Sequence, residues 1–213
     1  MNHWRKQLLE AVSPLQSGVR DLHISGFRPQ GESDYRPRKT AAVLVPFLDL
    51  SEPELVLTRR AEHLPNHPGQ VSFPGGAAEE NDESAVQTAL REANEEIGLP
   101  PEAVRPVGFL DRMDTISDYR VLPVVAFVKP PVLWVPDESE VAEVFTIPAS
   151  IVLDRERYQS REFERNGFSQ TIYSLHWNGQ HIWGVTASML MNLINRLEIA
   201  REQGQSGLRQ AAE

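Results

Sequence analysis

The chain has 213 residues, of which 40% are hydrophobic and 24% are charged. This length suits one domain with additions, and the composition excludes the disordered, collagen-like and membrane-embedded classes of protein. The formal net charge of −9 argues against a broad basic surface for nucleic acid. Cysteine is absent, which excludes disulfides and thiolate metal sites. Residues 1–15 mix charged with apolar residues, unlike a signal peptide, and we expect a cytoplasmic protein.

The first forty residues are predicted to hold one helix and a linker. Residues 3–12 have apolar side chains on one side of a helical pattern, which indicates a short amphipathic helix. Glycine and proline break residues 26–39, which end in a basic cluster of Arg36, Arg38 and Lys39. Two interpretations of this cluster stay open: a solvated lead-in, or a contact with phosphate or adenosine.

Apolar runs predict strands at 41–48, 54–60, 104–112 and 121–128. Between the second and third of these strands, His63 and His67 have a spacing that suits a metal site on a helix. Pro65 and Pro68 argue against a helix there, so we expect no histidine metal site.

A turn followed by a helix is predicted between residues 69 and 99. The turn is indicated by the apolar run that ends in Gly75 and Gly76. Either Asp82 or Ser84 can cap the helix, whose apolar residues recur at spacings of three and four, and Gly98 follows where a helix normally stops.

The last third of the chain begins with an acidic loop, residues 137–143, which leads into an apolar strand. Runs at 173–177 and 180–183 flank Asn178 and Gly179, a strong signal for a hairpin. We expect Thr186 to cap a final helix and a disordered tail to begin at Gly204. The buried stripe predicted for this helix is Leu190, Leu193, Ile194 and Leu197.

Three carboxylates share one patch of the helix that follows the glycine turn. Glu92, Glu95 and Glu96 stand at positions i, i+3 and i+4, and such like charges repel unless a cation relieves them. Arg91 is the nearby basic residue. A divalent cation such as magnesium prefers oxygen ligands and is often held by a few carboxylates together with substrate phosphate. The alternative is an acidic helix face that is simply solvated.

Residues 91–99, REANEEIGL, resemble the Nudix box, whose second half is REUxEExGU with U an apolar residue. The spacing from Gly76 to Arg91 is one residue longer than usual. Either Asp82 or Glu83 can therefore be the first acid of the box, and we favour Glu83 because it keeps the usual distance to Arg91. The resemblance implies an α/β (α+β) Nudix fold, in which a mixed β sheet lies between helices, and often a homodimer.

The resemblance also implies a chemistry and a set of roles. Water would attack one phosphorus of a diphosphate linkage while Mg²⁺ or Mn²⁺ spreads the developing charge. Arg91 would orient Glu92, and the general base would be Glu92, Glu140 or Glu143, a choice that stays open. The metal ligands implied are Glu92, Glu95, Glu96, the Gly76 carbonyl and Glu83.

Upstream of the box, residues 56–76 resemble the signature of Nudix enzymes that split coenzyme A into 4′-phosphopantetheine and 3′,5′-ADP. Pro65 stands where that signature has an arginine, which favours instead a substrate such as ADP-ribose or a dinucleoside polyphosphate. A third hypothesis is a silent nucleotide-binding module. The candidate contacts to a small nucleoside diphosphate derivative are Arg59, Arg60, Arg36, Arg38 and Phe73. The organisation expected is a helix and linker (1–40), a Nudix domain (41–200) and a tail (201–213).

Overall fold

A computed structural model describes residues 3–26, 39–165 and 168–210. The helices are α1 (His3–Ala11), α2 (Ala85–Ile97), α3 (Ala149–Val152) and α4 (Gly184–Gln210). The strands are β1 (Ile24–Gly26), β2 (Lys39–Leu48), β3 (Glu54–Arg60), β4 (Val71–Ser72), β5 (Gly75–Ala77), β6 (Val104–Phe109), β7 (Arg112–Asp114), β8 (Tyr119–Val128), β9 (Val141–Pro148), β10 (Gln159–Arg165), β11 (Phe168–Trp177) and β12 (Gln180–Trp183).

The main sheet is mixed and is built around two parallel strands. β2 and β8 pair along their full lengths, from Lys39 with Tyr119 to Leu48 with Val128. β3 and β5 pair antiparallel with β2, while β6 and β7 pair antiparallel with β8. The edges are completed by β1 on β7 and by β4 and β9 on β3. Parallel central strands need both faces covered, which explains their nearly continuous apolar sequences.

Alternate residues of the central strands belong to two separate cores. Val45 and Phe47 of β2 belong to one core, which also contains residues of α1 and α4. Ala42 and Leu44 belong to the other core, which also contains Ala89, Ala93 and Ile97 of α2. The sheet therefore lies between α2 on one face and the two terminal helices on the other, which confirms the predicted sandwich.

The N-terminal helix belongs to the same packed body as the C-terminal helix. The Trp4 ring of α1 packs edge-on against Phe127 at 5.2 Å between ring centroids. Arg196 of α4 donates to the Ala11 carbonyl at 3.1 Å and also pairs with Asp111. Within the described residues, no helix is long and apolar enough to cross a membrane.

A second, three-stranded antiparallel sheet is formed by β10, β11 and β12. Asn178 and Gly179 join β11 to β12 with φ angles of 45° and 80°, so the predicted hairpin is confirmed. Leu175 and Ile182 are buried on the face that packs against the main body. The opposite face of this sheet is therefore available to a ligand.

The described residues depart from the sequence predictions at three places. The strand predicted at 104–112 is split into β6 and β7, because Phe109 turns aside to bridge Ser13 through two backbone hydrogen bonds. Thr186 lies inside α4 rather than at its cap, and its hydroxyl donates to the Val71 carbonyl at 3.0 Å. The helix also continues past Gly204 to Gln210, since Gly204 and Gly207 each cost only about 1 kcal/mol relative to alanine.

Candidate functional site

The glycine turn and helix α2 are held in fixed positions by their own backbone contacts. Gly75 and Gly76 pair with Val43 and Ala42 of β2, which places the turn beside the central strands. At the start of α2 the Ser84 hydroxyl accepts a hydrogen bond from the Gln87 backbone at 3.2 Å, so Ser84 is the cap. The turn is thereby anchored to the sheet, and the start of α2 is fixed by a local bond.

Arg91 contacts several acidic side chains at the charged face of α2, and its main partner is Asp82. Two guanidinium nitrogens of Arg91 donate to the two Asp82 carboxylate oxygens at 3.2 and 3.0 Å. This pair holds the pKa of Asp82 well below its usual range. The exposed Glu83 instead donates its backbone N–H to Gln87 at 2.8 Å. Asp82 is therefore the acid that pairs with Arg91, because the extra residue in the turn aims it at the arginine, and Glu83 as the first acid of the box stays a prediction.

The third nitrogen of the Arg91 guanidinium binds two of the three patch carboxylates. Nη1 of Arg91 donates to Glu92 at 2.9 Å and to Glu95 at 3.0 Å. The Glu95 side chain is 57% exposed, whereas that of Glu92 is only 17% exposed. Arg91 thus forms an ion pair with Glu92, and Glu95 is the more peripheral of the two acids.

Glu96 is the buried member of the patch, with 6% of its surface exposed. One of its carboxylate oxygens accepts a hydrogen bond from the Gly75 backbone at 3.1 Å. Burial, followed by the negative charges of Glu92 and Glu140, raises the pKa of Glu96 to about 8. Burial also raises the pKa of Glu92, although Arg91 opposes that shift. The Gly75 N–H and the charge of Arg60 therefore compensate the ionised form of Glu96 only in part.

The two acids from the distant loop segment lie in different surroundings. The negative charge of Glu140 raises the pKa of both Glu92 and Glu96, so it acts directly on the patch. Glu143 lies in strand β9 rather than in the predicted loop. Its carboxylate accepts hydrogen bonds from Arg59 at 3.3 Å and from Gln180 at 3.0 Å. Glu140 is thus close enough to act electrostatically on the patch, and Glu143 is tied to other partners.

The donor set fits a hard divalent cation. Glu96 and Glu92 present carboxylate oxygens at a site where burial disfavours negative charge, and a cation would relieve that penalty. Among the described residues, no three acidic or histidine side chains converge into a preformed cage. Magnesium usually takes only one or two protein carboxylates and keeps several waters, so such a cage is not required.

The close approach of Gly76 to Glu92 gives a test of this patch. A Cβ atom at Gly76 would lie 2.5 Å from a Glu92 carboxylate oxygen, so Gly76→Ala must push that carboxylate aside. We expect Gly76→Ala to keep its melting temperature near that of the wild type but to need at least about tenfold more magnesium for half-maximal hydrolysis, measured by magnesium titration.

Gly204→Ala is the matched control, because a Cβ atom there meets no atom within 4 Å. Gly75→Ala should behave differently, since its Cβ would lie 2.4 Å from the Ala42 carbonyl oxygen and the φ of Gly75 is +152°. We expect that variant to lose stability. An unchanged magnesium requirement in Gly76→Ala would contradict the role given to Glu92.

A cleft of about 510 Å³ opens next to the patch. Arg60, which is close enough to Glu96 to lower its pKa, lines this cleft together with the buried Phe73. The Nε atom of Arg60 is buried without a hydrogen-bond partner in the described part of the chain. The other apolar residues lining the cleft are Val43, Val71, Met113, Ile116, Val121, Ile172, Trp183, Val185 and Met189.

Of the candidate substrate contacts, Arg60 and Phe73 line the cleft and Arg59 does not. Arg59 instead pairs with Glu143 and with Glu62 at 3.4 Å. Arg36 and Arg38 lie outside the described residues. The sequence named Asp82 as one of two possible acids and Arg60 as a substrate contact, but it did not show the pairing of Asp82 with Arg91 or the unpaired Nε atom of Arg60.

Comparison with known proteins agrees with this arrangement of a glycine turn, a carboxylate helix and a mixed sheet. The model of the NUDIX domain family matches residues 38–166. The chain therefore belongs to the Nudix family.

Two relatives carry the description "Uncharacterized Nudix hydrolase NudL". The protein of Enterobacter sp. (strain 638) is 39% identical over 78% of this chain and 86% of its own length. That of Yersinia pestis (strain Pestoides F) is 40% identical over 76% and 81%. Among solved structures, an Ap4A hydrolase of C. elegans is similar with a TM-score of 0.45 and 20% identity, covering 52% of this chain and 80% of that one. Nudix hydrolases cleave phosphoric anhydrides and generally use Mg²⁺ or Mn²⁺.

Proposed function

We propose that this chain is a Nudix hydrolase that cleaves the diphosphate of coenzyme A, giving 4′-phosphopantetheine and 3′,5′-ADP. The observation that carries the proposal is the buried Glu96, whose ionised form burial disfavours, together with a cleft lined by Arg60, whose Nε atom has no hydrogen-bond partner among the described residues. This arrangement suits an anionic substrate that arrives with a cation. The upstream segment that resembles coenzyme A diphosphatases directs the proposal to coenzyme A.

Each residue of the patch has a proposed task. Glu96 and Glu92 hold the cation, with the Gly76 carbonyl and Glu95 as further ligands, while Arg91 keeps Glu92 in place. When bound, a divalent cation supplies stabilisation of negative charge on the phosphoryl oxygens. Glu140 accepts the proton of the attacking water, because it is the distant acid that acts on the patch. Glu83, exposed and outside the Arg91 cluster, is the weakest of the proposed ligands.

The residues that line the cleft fit both the phosphates and the pantetheine arm of the proposed substrate. Arg60 is positioned to bind a phosphate oxygen, and a charge-assisted bond of this kind contributes about 1.5 to 3 kcal/mol. The largely apolar lining suits the pantetheine arm, which has alkyl segments separated by amides that need occasional polar partners. Gln70, Ser72 and Thr115 offer such polar groups in the cleft.

A second candidate function is hydrolysis of another nucleoside diphosphate derivative such as ADP-ribose or a dinucleoside polyphosphate. Pro65 favours it, because the exposed proline cannot supply the phosphate contact of the arginine in the signature. The silent module is disfavoured because Glu92, Glu95 and Glu96 are all present. A magnesium-dependent hydrolysis panel of coenzyme A, its acyl derivatives, ADP-ribose and diadenosine polyphosphates tests these alternatives. The proposed homodimer needs a separate measurement of mass in solution.

The effect of Pro65 on selectivity can be measured by restoring the arginine. We expect Pro65→Arg to raise the ratio of kcat/KM for coenzyme A over ADP-ribose by about tenfold, because about 1.4 kcal/mol corresponds to a factor of ten. Pro68→Arg, which adds the same charge at another exposed loop proline, should leave the ratio near its wild-type value. If the wild type already prefers coenzyme A by more than about a hundredfold and Pro65→Arg adds nothing, Arg60 has taken over the contact.

A further inference from the structure

The outward face of the small sheet carries a row of stacked rings that the proposed chemistry does not use. His176 and His181 are directly opposite each other on β11 and β12. Their rings are parallel within 4° at a centroid distance of 4.2 Å. Trp183 continues the stack at 6.1 Å from His181 with an interplanar angle of 19°. We refer to these three residues as the ring row.

A cavity of about 270 Å³ lies on the ring row. Ile172 and Trp183 line both this cavity and the Arg60 cleft, so the two are direct neighbours. A ligand whose phosphates lie near Arg60 can therefore extend its far end over the ring row.

The same cavity is also lined by a positively charged side chain. Arg161 of β10 lies opposite Ile172 in the sheet register and lines the cavity with the ring row. Its side chain is exposed and forms no ion pair with any residue in the described ranges. Burial, with the nearby charges of His176 and Arg161, lowers the pKa of His181. The cavity thus combines the π faces of the ring row with the positive charge of Arg161.

We propose that the ring row binds the purine base of the nucleotide half of the substrate by stacking, and that Arg161 pairs with the phosphate on the ribose of that nucleotide. This inference rests on the proposed function, because in coenzyme A the base and the 3′-phosphate lie on the same side of the diphosphate. The pantetheine arm has no flat π face, so it gains less from the ring row than from the aliphatic cleft. Stacking of a base on aromatic side chains is effective without base-specific hydrogen bonds.

The test is direct binding of two nucleotides by isothermal titration without metal. The probes are 3′,5′-ADP and 5′-AMP, which share the base and differ in the 3′-phosphate. His181→Ala is expected to weaken both by about 5- to 150-fold, the range that corresponds to the loss of one base stacking contact. Arg161→Gln is expected to weaken 3′,5′-ADP about fivefold and to leave 5′-AMP within twofold, as for an exposed charge pair.

Two further variants separate binding from folding. His181→Phe keeps a flat ring, so it should retain most of the affinity that His181→Ala loses. Both variants change the same position of the hairpin, so a difference between them reports on the ring. His3→Ala, which removes an exposed histidine on α1, should bind like the wild type. Affinities within twofold of wild type in His181→Ala, equal losses for both probes in Arg161→Gln, or no wild-type binding of either probe would each overturn the inference.

Hydrolysis reports on the proposed function separately. A wild-type protein that binds 3′,5′-ADP through Arg161 but cleaves ADP-ribose and not coenzyme A would remove the coenzyme A assignment and keep the nucleotide site. A wild-type protein that cleaves coenzyme A with no effect of His181→Ala or Arg161→Gln on KM would keep the function and overturn the nucleotide site.

Discussion

Replacement of Glu96 by glutamine is expected to lower magnesium-dependent hydrolysis by at least about 100-fold while raising the melting temperature of the metal-free protein at pH 8. Glutamine keeps the size of the side chain but removes the charge that helps to hold the cation. Cation stabilisation of phosphoryl charge supplies several kcal/mol, and about 2.7 kcal/mol corresponds to a factor of 100 in rate. The measurements are turnover at limiting magnesium and thermal unfolding in a chelator.

The opposite effect on stability follows from the sign of the pKa shift. The pKa of Glu96 is raised from the usual value near 4.5 to about 8, chiefly by burial. The stability that its neutral form contributes is therefore fully present below pH 4.5 and is lost as the pH rises through 8. Metal-free wild type should melt at lower temperature as the pH rises across this window, at about 2 to 4 °C per kcal/mol for a domain of this size. The melting temperature of Glu96→Gln should fall less than that of the wild type over the same pH range.

The ionisation of Glu96 also makes the affinity for the metal depend on pH. A cation binds the charged form of Glu96, so binding releases a proton below pH 8 and magnesium affinity should increase as the pH rises to that value. Glu95→Gln is the matched control, because Glu95 is 57% exposed and should produce little change in the pH dependence of stability. Wild-type turnover in Glu96→Gln at limiting magnesium would rule out the proposed cation site.

Glu140→Gln is expected to lower turnover by about 10²- to 10⁴-fold at saturating magnesium while substrate and metal still bind. This is the usual cost of losing a general base. The expectation rests on the electrostatic effect of Glu140 on both Glu92 and Glu96. The measurements are kcat at saturating substrate and magnesium, and the dissociation constant of the substrate.

Glu143→Gln provides the comparison for this variant. Glu143 is held by Arg59 and Gln180, so its replacement should mainly loosen the contact between β3, β9 and the hairpin. We expect a loss of less than tenfold in kcat. A large loss in Glu143→Gln with little change in Glu140→Gln would exchange their roles, and losses below tenfold in both would assign the proton to Glu92.

The parts of the fold that the sequence predicted are those controlled by local patterns. The central strands were readable because both faces are covered, so that their residues are apolar in succession. The ends of α2 were readable because Ser84 and Gly98 satisfy backbone groups locally; the N–H of Gly98, at φ +65°, donates to the Asn94 carbonyl at 2.9 Å.

The parts that were not predicted depend on contacts between distant segments. Which of Asp82 and Glu83 pairs with Arg91 depends on where the turn aims each carboxylate, and counting residues from Arg91 does not show this. Arg60, whose Nε atom is unpaired, and the paired Arg59 are adjacent in sequence, and the positions of Glu62 and Glu143 distinguish them. Thr186 was taken for a helix cap because its bond to the Val71 carbonyl, across more than a hundred residues, has no local signal.

The parallel pairing of β2 with β8 has a consequence for how activity is acquired during folding. Lys39 pairs with Tyr119, so the chain must close a loop of about 80 residues before the two central strands can join. The glycine turn and α2 lie within that loop, and Gly75 and Gly76 pair with β2 itself. Such non-local pairing slows folding, because the entropy of loop closure is lost before the contacts form. The carboxylate patch is therefore assembled in the same slow event that forms the centre of the sheet, and partly folded chains are not expected to hydrolyse nucleotides.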